Sequence, residues 1–234
     1  MMELYKSTDL TSYCLGMSLT IEALKHAPES IKGVILSEKA IRNNQLDYLL
    51  MLCDELNIKP EYNEALISKL SLKENCYCIG IFNKFKRDLK TKKHVVLYGF
   101  NDFGELGTIL RSAVSFDFSD IVLVNSNIDY FDPRCIRASM GSIFHCNIIQ
   151  YDKLDDYLND HEDVFIYPMV PHGGHYLNEL RVIEPYCVII PQKYRGLEPI
   201  FKEGYAIKHK NLDEISLSSL SSIVFSYIYH LPKS

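Results

Sequence analysis

The sequence predicts an α/β protein in two parts, and three observations carry that expectation. Apolar runs of strand length alternate with amphipathic stretches of helix length along the chain. The runs after His94 are almost continuously apolar, as parallel strands covered on both faces require. A basic stretch, NKFKRDLKTKKH from Asn83 to His94, interrupts the alternation. The 234 residues therefore divide into a small α/β domain over 1–83, a linker over 84–93 and a doubly wound α/β domain over 94–234.

In the first part, GMSLTIEALKHA has a helical face at Leu19, Ala23 and Leu24, and KGVILSEKA reads as a short buried strand. NQLDYLLMLCDEL sets Leu46, Leu49, Leu50 and Cys53 at helical spacing, and EALISKLS reads as another helix. NCYCIGIF, rich in β-branched and aromatic residues, is a strand. In the second part, HVVLYGF, DIVLVN, CNIIQY, DVFIYPM, YCVIIP and YAIKH are strands, while ELGTILRSAVSF and SLSSLSSIVFSYIYHL are helices.

Composition narrows the function. A net charge of −5 excludes a wholly basic surface, so any nucleic-acid contact must be local. The stretch from Asn83 offers one, with Lys84, Lys86, Arg87, Lys90, Lys92 and Lys93 against Asp88. It reads first as a solvated linker and second as an RNA contact through Lys86 and Arg87. At 47% apolar residues the chain can bury a core without staples. Its seven cysteines, an odd number without a CxxC pair, read as reduced and buried in a cytoplasmic protein. No run approaches the ~18 to 20 apolar residues of a membrane span, and MMELYKSTDL, acidic and polar, does not read as a basic n-region followed by an apolar h-region, so neither secretion nor membrane insertion is expected. No metal is expected: His172 and His175 lie three apart, but glycines separate them and no further ligand stands at metal spacing. A GxSxG elbow, a GxGxxG turn and a P-loop are all absent from the sequence.

Two segments can carry chemistry. In LYGFNDFGELGTILRSA a strand ends near Phe100, a loop holds Gly104 and Gly107, and a helix carries Arg111 one turn later. Pattern alone leaves Arg111 open between a surface ion pair and a ligand contact. In DPRCIRASMGSIF, Asp132 and Pro133 read as N-cap and N1 of a helix that Gly141 ends. Arg134 and Arg137 lie on one face there, with Ser139 and Ser142 nearby, a phosphate-holding set or simply a solvated helix.

Together these segments resemble the SpoU/TrmH family of RNA ribose 2′-O-methyltransferases, of the SPOUT superfamily, from about His94 onward. The family's Asp-Pro-Gly-Asn-x-Gly-x-x-x-Arg-Thr-Ala motif is matched by Asp102, Gly104, Gly107, Arg111 and Ala113. Its Arg-Ala-Ser-x-Gly-x-x-Phe segment is matched by Arg137, Ala138, Ser139, Gly141 and Phe144. Residues 1–83 are similar to the ribosomal-protein-like substrate-binding domain that often precedes it. The resemblance implies a trefoil-knotted C-terminal half, a homodimer through the C-terminal domain and S-adenosylmethionine as cofactor. It implies an apolar stripe of Leu217, Leu220, Val224 and Ile228 on the last helix near the interface, which core packing would equally explain.

The resemblance also implies roles. Arg111, Glu105 and Ser218 occupy catalytic motif positions, and Ile190, Gly196, Ile207 and Leu217 would wall the cofactor pocket. Arg134, Arg137 and Ser139, with Lys86 and Arg87 of the linker, would contact ribosomal or transfer RNA. This chain departs from the family at Glu105, where Asn is usual, at Pro191 for Gly, at Lys193 for Glu and at Ser218 for Asn. Pro191 removes a backbone N–H, and an ammonium ~5 Å from a sulfonium would cost about 3 kcal/mol at an effective dielectric near 20. Those departures set a second expectation beside the first: an RNA-binding paralogue with impaired catalysis.

Overall fold

A computed structural model describes residues 5–71, 75–170, 175–192, 204–206 and 215–232. It separates into two compact units, one of Met1–Phe85 with Asp129–His145, the other of Lys86–Ile128 with Cys146–Ser234.

The first unit is built on a sheet of order β1-β4-β2-β3, from β1 (Thr11–Leu15), β2 (Ile31–Leu36), β3 (Glu61–Tyr62) and β4 (Cys78–Asn83). β4 runs antiparallel to both β1 and β2. Strand residues alternate between faces. Val34, Leu36 and Cys78 pack with Ile21 and Leu24 of helix α1 (Met17–His26) and with Leu46, Leu49 and Cys53 of α2 (Asn44–Glu55). Ile35 and Ile79 turn the other way, onto Ile67 and Leu70 of α3 (Glu64–Leu70). Asn43 and Asn63 cap α2 and α3 by accepting from the backbone N–H of Leu46 and Leu66, at 2.9 and 3.0 Å. β1, β3 and the later helix Leu154–Asp160 have no counterpart among the sequence expectations.

Residues 129–145, expected in the C-terminal domain, pack into this unit instead. They include α4 (Pro133–Ala138), N-capped by Asp132 with Pro133 in its first turn as expected. Phe82 meets Phe131 and Phe144 edge-on, with ring centroids 5.5 and 5.2 Å apart, and Phe85 meets Phe131 at 4.8 Å. Ser12 Oγ donates to the Phe131 carbonyl at 2.5 Å. Asp129 accepts from Tyr5 and binds Lys84 Nζ at 2.7 Å. Lys84, read as solvated linker, is therefore a half-buried ion-pair partner.

The second unit holds a five-stranded sheet of order β7-β6-β5-β10-β8, every pairing parallel as expected. Its strands are β5 (Lys93–Tyr98), β6 (Asp120–Val124), β7 (Asn147–Tyr151), β8 (Phe165–Pro168) and β10 (Tyr186–Pro191). Two short strands, β9 (His175–Tyr176) and β11 (Tyr205–Ala206), pair in parallel beside it. Helix α5 (Phe103–Ser115) leads from β5 to β6, and α6 (Leu154–Asp160) leads from β7 to β8. These crossovers run in opposite directions along the sheet, so the right-handed rule puts α5 and α6 on opposite faces. On the α6 face lie Val96, Val122, Cys187 and Ile189 with Leu154 and Tyr157. On the other, α5 packs against the terminal helix α7 (Leu217–Tyr229).

Asp120, fully buried at the start of β6, accepts from Lys90 N at 2.7 Å, from Thr91 N and from Asn147 Nδ2 at 2.6 Å. The end of the expected linker is thus docked by its backbone while Lys90 is exposed. All seven cysteines are buried and none forms a disulfide. Among the described residues no helix is long and apolar enough to cross a membrane.

Buried His94 contacts Tyr157 Oη through Nδ1 at 2.9 Å and the Thr91 carbonyl through Nε2 at 3.1 Å. Burial holds its pKa below the usual imidazole value. The folded state thus takes up its proton less readily than the unfolded chain. The stability this confers is full above the unfolded value of about 6.5 and is lost as pH falls toward the folded one. Urea unfolding at a series of pH values should show stability falling with acidification in that window, and the slope should be shallower in His94→Gln.

Candidate active site

Chain direction marks the crevice. β5 leaves the sheet toward β6, whereas the chain after β10 returns as β11 on the opposite side, beside the residues that follow β8. There Met169 bridges Tyr205, and Val170 N donates to the Tyr205 carbonyl at 2.9 Å. Adjacent parallel strands whose connections diverge open a ligand-sized gap at their carboxyl ends. Here that switch point falls beyond Tyr98 of β5 and Pro191 of β10, which face each other in register. Gln192 N donates to the Tyr98 carbonyl at 2.9 Å and closes the pairing.

The turn out of β5 differs from expectation. It is made at Gly99, whose φ of +76° suits glycine, while Gly104 and Gly107 lie inside α5. Asp102 is the N-cap, its Oδ1 accepting from Glu105 N at 2.7 Å. α5 begins before the glycines because this cap and the apolar face of Leu106, Ile109, Leu110 and Ala113 already specify a helix there.

Glu105, in the first turn of α5, accepts from Gln192 Nε2 at 3.3 Å. Burial pushes its carboxyl above the usual range, partly offset by that hydrogen bond. Gln192 is the residue sequence reasoning missed; its one signal was its place directly after Pro191 in the diverged motif. Pro191 is buried, as is Ile190, so Ile190 can offer a ligand only its backbone.

Arg111 stands on an exposed face of α5, and its guanidinium has no partner among the described residues. It lies about 12 Å along the axis from the helix start, not one turn beyond a loop, although Cα–Cβ bonds tilt back toward the N-terminus. Ser112, its neighbour, shares a hydrogen bond of 2.8 Å with Ser222 of α7. Further on, Phe116 meets Tyr229. Contacts therefore advance together along both helices, so α5 and α7 start at the same edge. That brings Ser218, in the first turn of α7, to the crevice end; its hydroxyl lies 3.1 Å from Ser216 Oγ, the N-cap. Leu217 is half-buried, and Leu220, Val224 and Ile228 of the expected stripe are buried. Gly196 and Ile207, with Lys193 and His172, lie outside the described residues. His175 is exposed beside Glu179, its Nδ1 3.5 Å from that carboxylate.

The expected RNA contacts divide. Arg134 is exposed but forked onto Asp132 at 2.9 and 2.8 Å. Arg137 and Lys86 are exposed and Arg87 is half-buried. Ser139 is a correction: it is fully buried and donates to the Ile136 carbonyl at 2.9 Å, because its hydroxyl closes the last turn of its own helix. It cannot reach RNA in this conformation.

Known proteins resemble this chain in sequence and in fold. Residues 92–205 match the SpoU rRNA Methylase family. Over 220 residues, 86% of this chain and 87% of the relative, the sequence is 22% identical to the 23S rRNA (guanosine(2553)-2'-O)-methyltransferase RlmP of Bacillus subtilis. A stretch of 68 residues, 28% of this chain and 16% of the relative, is 35% identical to the mitochondrial rRNA methyltransferase 3 of Homo sapiens. The fold is similar to the AdoMet-bound rRNA methyltransferase from Sinorhizobium meliloti, with a TM-score of 0.76 at 21% identity over 94% of this chain and 87% of that one. It is also similar to AviRb from Streptomyces viridochromogenes, solved with AdoMet, with a TM-score of 0.78 at 12% identity over 94% and 90% of the two chains.

The β11 strand reaches the crevice side through Gly204, where an added Cβ would stand 2.5 Å from Val170 Cγ1 and 2.8 Å from the Pro168 carbonyl oxygen. Gly204→Ala should therefore displace β11 and lower the unfolding free energy by about 1–3 kcal/mol, measured by urea denaturation. A neutral substitution would show that this approach is not close in solution.

Proposed function

We propose that this chain, whose residues 92–205 match the SpoU rRNA Methylase family, is an S-adenosylmethionine-dependent RNA ribose 2′-O-methyltransferase of that family. Its substrate in this reading is ribosomal or transfer RNA. The observation that carries the reading is the helix leading out of the crevice, with Glu105 at its mouth and Arg111 exposed and unengaged by any described residue.

The described crevice suits that cofactor. It sits at the carboxyl end of a parallel sheet, and Asp102 and Glu105 are carboxylates at its edge, complementary to a sulfonium and an ammonium. When bound, the cofactor supplies an electrophilic methyl group. The protein must then align a ribose hydroxyl and remove its proton. Arg111, with a pKa above ~12, is no base; it orients the neighbouring phosphate and steadies developing charge on the ribose oxygen. Glu105, raised by burial, is suited to receive the proton, and Ser218 offers a hydroxyl at the same edge. Gly196, Ile207 and Leu217, with the backbone of Ile190, complete the cofactor walls in this reading. Arg137, Arg134, Lys86 and Arg87 supply RNA contacts.

Six residues turn a helix through about 600°, so Glu105 and Arg111 leave α5 on different faces. That separation supports a homodimer through the C-terminal domain, as do the exposed Ile223 and Tyr229 on α7. The close passage of Gly204 beside Val170 supports the trefoil knot. The reading includes an RNA-grasping domain over residues 1–83 and a cytoplasmic location, the latter supported by seven buried cysteines without disulfides.

Buried Pro191 at the crevice favours a second reading, an RNA-binding paralogue without turnover. Calorimetric titration with S-adenosylmethionine separates the two: saturable micromolar binding supports the enzyme, and absence of heat with RNA binding retained supports the paralogue. In the enzyme, Arg111→Ala should lower methyl transfer at least about a hundredfold and leave cofactor affinity within a few fold. A full-rate variant would defeat the assignment of Arg111.

A further inference from the structure

We infer that Glu22, His26 and His145 form a binding site for one divalent transition-metal ion of the zinc class. All three belong to the first unit. Glu22 and His26 stand four residues apart on α1, so both project from one face. His145 comes from the 3-10 turn Ser142–His145.

The two imidazoles converge on one oxygen. His145 Nε2 lies 2.7 Å from Glu22 Oε2, and His26 Nε2 lies 3.7 Å from the same atom. Their ring centroids are 3.7 Å apart, and the three potential ligand atoms all fall within 4.8 Å of one another. Tetrahedral zinc with ligand bonds of ~2.0–2.1 Å needs neighbouring ligand atoms ~3.3 Å apart. Small side-chain rotations meet that requirement.

A hydrogen bond between His145 and Glu22 accounts for one pair. It does not account for a second imidazole presenting the same nitrogen to the same carboxylate oxygen. Two nitrogen ligands and one oxygen suit zinc and its neighbours and disfavour magnesium and calcium, which take oxygen ligands. The side chains are 28–33% exposed, which leaves access and room for water at a fourth position. The no-metal expectation weighed only His172 and His175; this site has no local signature, since 123 residues separate Glu22 from His145. A bound ion would tie α1 to the turn before β7, closing a long loop that folding otherwise closes at an entropic cost.

Chelator-treated full-length protein, titrated calorimetrically with zinc chloride, should bind one ion per chain, and zinc should raise its melting temperature. Cobalt(II) in its place should give the visible bands of a nitrogen- and oxygen-ligated ion, without the thiolate charge-transfer band that cysteine ligation would add. His26→Ala and His145→Ala should each weaken binding about a hundredfold, with far-UV circular dichroism confirming the fold. Should His145→Ala fail to fold, His26→Ala and Glu22→Gln decide the matter. No saturable binding, a thiolate band, or affinity unchanged in the folded variants would overturn the site.

Discussion

β10 inserts between β5 and β8, with Ile190 opposite Leu97 and Pro191 opposite Tyr98, and the candidate site inherits its position from that pairing. The two strands are distant in sequence, so the crevice exists only once both are docked. Their side chains are fully buried from Val95 to Leu97 and from Cys187 to Ile190. Such burial fixes register, since a slip of one residue would turn each strand's side chains to the opposite face. Gln192 then has one place to go, at the mouth of α5, where it meets Glu105.

The same logic of remote partners shapes the first unit. Phe131 and Phe144 each bury an aromatic ring, and the rings that complete their packing, Phe82 and Phe85, come from β4 and the residues just after it. Asp129 is held by Tyr5 and Lys84 on the same body. A segment inserted between β6 and β7 thus completes the N-terminal core. The expected boundary near residue 84 describes the order of the chain but not this packing.

Charge is organised locally. The overall balance of −5 is acidic, yet the lysines from Lys84 to Lys93 have different fates. Lys84 is an ion-pair partner, Lys86 and Lys90 are exposed, and the backbone of Lys90 and Thr91 is fastened to buried Asp120. A carboxylate taking backbone N–H donors and an amide donor is satisfied in the interior without a cation. The end of the basic stretch is therefore anchored by its backbone while the side chains of Lys86 and Lys90 stay exposed and Lys93 pairs with Asp117 and Glu184.

The sequence by itself determined most strands and helices, the parallel character of the larger sheet and the cap at Asp132. Each follows from local periodicity or a side chain bonding its own backbone within three residues. It also determined the motif residues Asp102, Gly104, Gly107 and Arg111, but not their conformation: Asp102 capped the helix early and drew both glycines inside it. Tertiary structure alone decided that Gln192 meets Glu105, that Ser139 turns inward, and that Glu22, His26 and His145 converge. The partners of Glu105 and Glu22 lie far away in the chain, and Ser139 is enclosed by packing. Periodicity records which face a residue occupies; only the folded chain decides what that face meets.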